Sequence, residues 1–83
     1  MSEEPRHSVY LRRIDPERNM NRFYEISVHL DLFGYHLVER RWGRLGRGGE
    51  GQRKIDEHPT EEAATEALEL LARRKIKRGY EAC

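Results

Sequence analysis

The sequence has a single cysteine, Cys83, at its last position. No disulfide can close within the chain, which excludes a disulfide-stapled secreted scaffold. The thiol reads as part of an exposed end rather than a reactive centre. No apolar run approaches the ~18 residues of a membrane helix. No charged-then-apolar leader opens the chain. A soluble, cytoplasmic protein with no membrane partner is therefore expected. Serine is confined to Ser2, Ser8 and Ser27, with no nucleophile elbow around any of them. The histidines His7, His29, His36 and His58 have no helical metal-pair spacing and no cysteine pair to complete a zinc site. The glycines from Gly46 to Gly51 form neither a Walker loop nor a dinucleotide fingerprint. Nothing in this inventory makes a catalytic constellation. No enzyme activity, cofactor, metal or small-molecule substrate is expected.

What the chain does have is charge. Its 83 residues suffice for one domain, and a chain this size buries only about 60% of its unfolded surface. Charged residues make up 37% of it, against roughly 25% in typical soluble domains. One Trp, four Tyr and two Phe lie within alternating apolar runs, so the composition describes a folded domain with a charged surface rather than a disordered chain. The formal net charge of +1 hides a segregation of signs. Arg40 to Lys54 holds six basic residues and one acid, Ile55 to Glu69 six acids and no Lys or Arg, and Leu70 to Cys83 five bases and one acid. Basic blocks of this kind suit a phosphate backbone.

Periodicity organises the chain. Val9 to Ile14 reads as a first strand. The turn-rich segment from Asp15 to Asn21 follows, where Asp-Pro starts a turn and Asn tolerates left-handed backbone. In Arg22 to Leu32, Tyr24, Ile26, Val28 and Leu30 alternate with polar residues, the period of a half-buried strand. Gly34 supplies a short turn, and Tyr35 to Arg44 pairs back as a hairpin. Alternation sends Val38, Arg40, Trp42 and Arg44 to one face, and Arg41 to the other. Gln52 to Glu57 is a fourth strand after the glycine loop. Thr60 is placed to cap a helix whose first turn carries Glu61 and Glu62. Ala64, Ala67, Leu68 and Leu71 form its apolar stripe, and Arg73, Arg74, Lys75 and Lys77 suit its negative end. Gly79 ends it. The expected fold class is α+β: an antiparallel sheet of four to five strands with one C-terminal helix packed on one face.

The segment richest in chemistry is Arg40-Arg41-Trp42-Gly43-Arg44. An aromatic plate stands among guanidinium forks that fit phosphate. Aromatic and basic residues interleaved are a common means of holding nucleic-acid strands and ends. A buried core tryptophan would exclude the stacking role, and one at a basic surface beside Arg44 would suit it.

Trp42-Gly43-Arg44, with Leu45-Gly46, Gly49 and Gln52 behind it, resembles the WGR domain of the DNA-dependent poly(ADP-ribose) polymerases and of many short bacterial proteins. Asn21-Arg22-Phe23-Tyr24 is similar to that family's entry to its long strand. The alanine-bearing helix and Lys75-Ile76-Lys77-Arg78-Gly79-Tyr80 resemble its bacterial branch. The resemblance covers Val9 to Tyr80. It divides the chain into a flexible end at 1–8, a single WGR domain at 9–80 and a tail at 81–83. It implies a non-catalytic DNA-binding module that recognises ends or breaks, as in DNA damage. Trp42 then packs on the sugar of the terminal nucleotide, Arg44 meets a terminal 5′-phosphate or a neighbouring domain, and Asn21 lies near the DNA. Arg40, Arg41, Arg47, Arg53 and Lys54 add general attraction. With no catalytic domain or zinc finger in this sequence, a stand-alone module is expected to bind DNA itself or to serve a separate chain. The alternative is a protein-protein adaptor using the same arginine-rich surface.

Overall fold

Alternation in the central strand sets the layout. The computed structural model describes residues 7–46 and 51–82. Strands β1 (His7–Asp15), β2 (Met20–Leu30), β3 (His36–Arg44), β4 (Gln52–His58) and β5 (Glu81–Ala82) form a five-stranded antiparallel sheet in the order β4-β3-β2-β1-β5. Helix α1 (Glu61–Lys77) lies across one face. This is the expected α+β architecture. No described helix is long and apolar enough to cross a membrane.

The strand with the longest apolar alternation, β2, takes a middle position, because only there are both edges paired and one face covered. Tyr24 lies beside Leu11 and Trp42, Ile26 beside Val9 and Arg40, and Val28 beside His7 and Val38. Leu11, Ile26, Val28 and Val38 are the largest fully buried side chains. Ala64, Leu68 and Ala72 of α1 close the core over them. Ala67 and Leu71, which the spacing places on the same stripe, are only partly buried and flank it. Small residues at the contact let the helix approach the sheet closely.

The elements differ from the sequence reading mainly at their ends. β1 starts at His7, so His7 and Ser8, expected in a loose end, pair with Val28 and Ser27. Glu81 and Ala82, expected in a tail, pair with Arg12 and Leu11. The expected connector is shortened to a single 3-10 turn, Pro16–Arg18, which Asn19 reverses with φ +53°. Between β2 and β3, one Asp31 carboxylate oxygen accepts from the amides of Phe33 and Tyr35, both at 2.9 Å. This Asx arrangement holds a turn whose Leu32 and Phe33 are 96% and 86% exposed.

Both helix ends are built as their residues suggest. The Thr60 hydroxyl accepts from the Ala63 amide at 3.1 Å. At the other end, the Gly79 amide donates to Ile76 and the Tyr80 amide to Lys75, at 3.0 and 3.1 Å. That pair of bonds is a Schellman motif, and its left-handed position is Gly79 at φ +99°. The reversal turns Tyr80 back into the core.

Leu11→Ala is expected to lower the unfolding free energy by about 2–5 kcal/mol, as for other buried large-to-small changes. Leu32→Ala should stay within about 0.5 kcal/mol of the parent, being a surface change. Urea unfolding of the two variants checks the assignment of core and turn.

Candidate nucleic-acid interface

Register turns single residues into rows. On the helix-covered face, Arg13, Arg22 and Arg44 lie directly opposite one another across β1, β2 and β3. The next row is Leu11, Tyr24, Trp42 and Gln52, and the one after it Val9, Ile26, Arg40 and Lys54. Like charges directly opposite are destabilising in a sheet. A row of three arginines beside an aromatic row therefore has a structural cost that an anion in front of it would relieve.

The aromatic row is a packed group. The rings of Tyr24 and Trp42 stack at 5.8 Å with 19° between planes, and Tyr80 meets Tyr24 edge-on at 6.3 Å and 73°. Trp42 is half-buried and packs against the core. It is neither a sealed core residue nor a free plate. A cavity of about 360 Å³ opens in front of it, lined by Arg22, Tyr24, Trp42, Gly43, Arg44, Lys75 and Tyr80. The glycine in this wall has a packing reason. A Cβ on Gly43 would come within 2.8 Å of the Gly51 backbone, and one on Gly51 would collide with the Trp42 carbonyl. Two glycines crossing at this point let the chain re-enter as β4 close behind the tryptophan.

Arg44 is exposed at the end of β3, and its guanidinium is held in place. Nη1 donates to the Asn19 carbonyl and Nη2 to Asn19 Oδ1, both at 3.2 Å. A guanidinium has more N–H donors than Asn19 engages, so the remainder are available to an anion. Lys75 reaches in from α1, with Nζ 4.5 Å from the Tyr24 ring centre and 5.6 Å from that of Tyr80. Desolvation lowers its pKa below the ordinary lysine value, and the charges of Arg78, Arg40 and Arg22 lower it further. Cations from two strands and the helix thus converge on one ammonium group. None of Arg22, Lys75 and Arg78 forms a salt bridge among the described residues.

The sequence-derived candidates divide by face. Trp42, Arg44, Arg40 and Lys54 lie on the helix side. Arg40 is mostly buried and pairs with Asp56 at 3.5 Å. Arg41 and Arg53 lie on the opposite face, paired with Glu25 at 3.3 Å and Glu39 at 3.5 Å. The Asn21 side chain also alternates to that face, and its backbone carbonyl accepts from the Leu45 amide at 2.8 Å. Arg47 lies outside the described residues. The residues that sequence reasoning passed over are Arg22, Lys75, Tyr80 and Asn19. The helix-end bases were accounted for by the helix dipole, which gave no sign that Lys75 also lines the cavity in front of Trp42. The asparagine that contacts Arg44 is Asn19, the left-handed residue of the connector, two positions before the Asn21 of the motif.

An antiparallel sheet crossed by one helix sets an aromatic row among cations, an arrangement suited to binding an anion. The chain belongs to the WGR domain family, whose profile matches residues 7–83. That family is one of nucleic-acid-binding modules rather than catalysts. The chain is also 42% identical over 72 residues to "Uncharacterized protein y4dW" of Sinorhizobium fredii. The match covers 87% of this chain and 34% of that protein, so the chain spans about a third of its relative's length.

The lowered Lys75 pKa has a signed consequence. The unfolded chain holds this proton more tightly, so the folded state carries a penalty that is fully present below the lowered pKa. The penalty is relieved as pH rises through that value toward the ordinary lysine range. Parent stability should therefore gain on that of Lys75→Gln as pH rises through this window, by parallel denaturant titrations. Side-chain NMR should show Lys75 Nζ titrating below a free-lysine peptide, and moving back up when phosphate occupies the cavity.

Proposed function

We propose that this module binds DNA at ends or breaks, with Trp42 packing on the terminal sugar and Arg44 taking the terminal phosphate. The observation that carries the reading is the arginine row Arg13, Arg22 and Arg44 lying in register beside Tyr24 and Trp42. Repelling cations beside a half-exposed indole suit a ligand that offers both a negative group and a flat or ring-shaped body. A terminal nucleotide offers both within a few ångströms. No chemistry on the DNA is proposed, and the role is recognition. Arg40 and Lys54 contribute attraction from the same face. Arg41 and Arg53 contribute less, because each has a carboxylate partner on the opposite face.

One observation favours a second reading, that of a protein adaptor. The turn between β2 and β3 presents Leu32, Phe33 and Tyr35 to solvent on a backbone braced by Asp31. This turn lies at the end of the hairpin remote from Trp42. An adaptor would use the turn, with the cationic end free for DNA. The two roles do not compete for residues.

Trp42 is the sole tryptophan, so its fluorescence reports on the cavity directly. A duplex with a recessed 5′-phosphate should perturb this emission and bind about tenfold tighter than the unphosphorylated duplex. Arg44→Ala should abolish the difference and flatten the salt dependence by about one phosphate contact. Phosphate-independent binding that vanishes at moderate salt would sink end recognition.

A further inference from the structure

The cavity in front of Trp42 adjoins a second one. The second has a volume of about 410 Å³ and is lined by Arg40, Leu71, Arg74, Lys77 and Arg78, together with Tyr24 and Lys75. Tyr24 and Lys75 line both cavities, so Lys75 is the partition between them. Its ammonium group can contact an occupant on either side.

The second cavity has the chemistry of an anion site. No carboxylate lines it. Asp56 pairs with one of its walls, accepting from Arg40 Nη2 at 3.5 Å. The Nε of the same arginine is buried without a hydrogen-bond partner, although only 18% of the side chain is exposed. A buried donor left unpaired is costly, and a charged one more so. An acceptor in the cavity would reach it once the guanidinium turned outward. The ring of Tyr24 is already stacked with Trp42 and overlain by Lys75, so no open aromatic plate remains there for a base. The cavity therefore suits a phosphate and not a nucleobase. Two anion sites sharing one lysine match a ligand with regularly repeated negative charge.

We propose that Arg40, Arg74, Lys75 and Arg78 form a second phosphate site, continuous with the Trp42–Arg44 cavity, which takes the backbone of a single-stranded extension at a DNA end. The proposal rests on the DNA-end reading above and deepens it. With the 5′-terminal nucleotide of one strand held at Trp42 and Arg44, the complementary strand that runs on past it carries its next phosphate toward Lys75 and Arg40. The module then prefers an extended end to a blunt one. Arg74 is exposed on α1 and Arg78 is exposed at its C-cap, both outside the core and outside the arginine row, so they are separable from end binding.

The test uses the full chain and two labelled duplexes with the same 5′-phosphate, one blunt and one with a short 3′ extension of the complementary strand. The parent should bind the extended end about tenfold tighter, with a steeper salt dependence by about one single-strand phosphate. The double variant R74Q/R78Q, with its fold checked by thermal unfolding, should lose that preference while holding blunt-end affinity within about twofold. Equal binding of both ends by the parent overturns the second site. So does R74Q/R78Q weakening both ends by the same factor, which is the mark of diffuse attraction. If blunt-end binding stays phosphate- and Arg44-dependent in those cases, end recognition stands and only this extension site falls. If neither end binds, both readings fall.

Discussion

The basic end of the molecule depends on Tyr24. Its ring stacks on Trp42 from the neighbouring strand, meets Tyr80 edge-on from beyond the helix, and carries the Lys75 ammonium group above it. It is also 4% exposed and part of the core. One side chain thus belongs both to the apolar packing that sets the fold and to the polar cavity that faces solvent. The position of Lys75 follows from the Schellman turn, because the bond from the Tyr80 amide to the Lys75 carbonyl ties the last helical turn to the ring that contacts Tyr24. Take away the aromatic contact, and α1 has only its alanines and leucines to set its position along the sheet.

Around this anchor the fold brings together groups that repel. Arg22 faces Arg44 across β2 and β3, and Lys75 feels Arg78, Arg40 and Arg22 together. Elsewhere on the sheet the same problem is solved by pairing. Arg41 and Arg53 also lie opposite each other, yet Glu25 and Glu39 neutralise them from flanking positions. The difference between the two faces is physical. On one, cations are paired with carboxylates. On the other, apart from the Arg40–Asp56 pair, they surround cavities that no carboxylate lines. Such an arrangement costs stability in the free protein, and an anion bound there would offset that cost by binding the folded state.

Much of the fold was legible in the sequence. The alternation of Tyr24, Ile26 and Val28, the Thr60 cap and the Gly79 stop each encode local structure, and each appears where its chemistry places it. The ends of β1 and β5 were not legible. Their pairing is non-local, and His7, Ser8, Glu81 and Ala82 carry no apolar pattern of their own. The candidate site was half legible. Trp42, Arg44 and Arg40 share a face because they are spaced two apart, and Arg41 leaves it for the same reason. Arg22 and Lys75 join them only through strand register and helix docking, and no local pattern announces either. Asn19 was visible as a residue suited to left-handed backbone, but its grip on Arg44 is a contact between positions 25 apart in sequence.

The family assignment and the geometry agree on a binding module, and the cavities lined by its arginines and Lys75 lie on the helix-covered face. The most direct measurement is an NMR map of the isotopically labelled chain titrated with a 5′-phosphorylated duplex. The account predicts that shifts concentrate on the Trp42 indole N–H, Tyr24, Tyr80, Lys75 and the Arg22 and Arg44 side chains, with Tyr10, Arg41 and Arg53 on the other face unmoved. Shifts centred on that other face, or on Leu32 and Phe33 at the far turn, would contradict it.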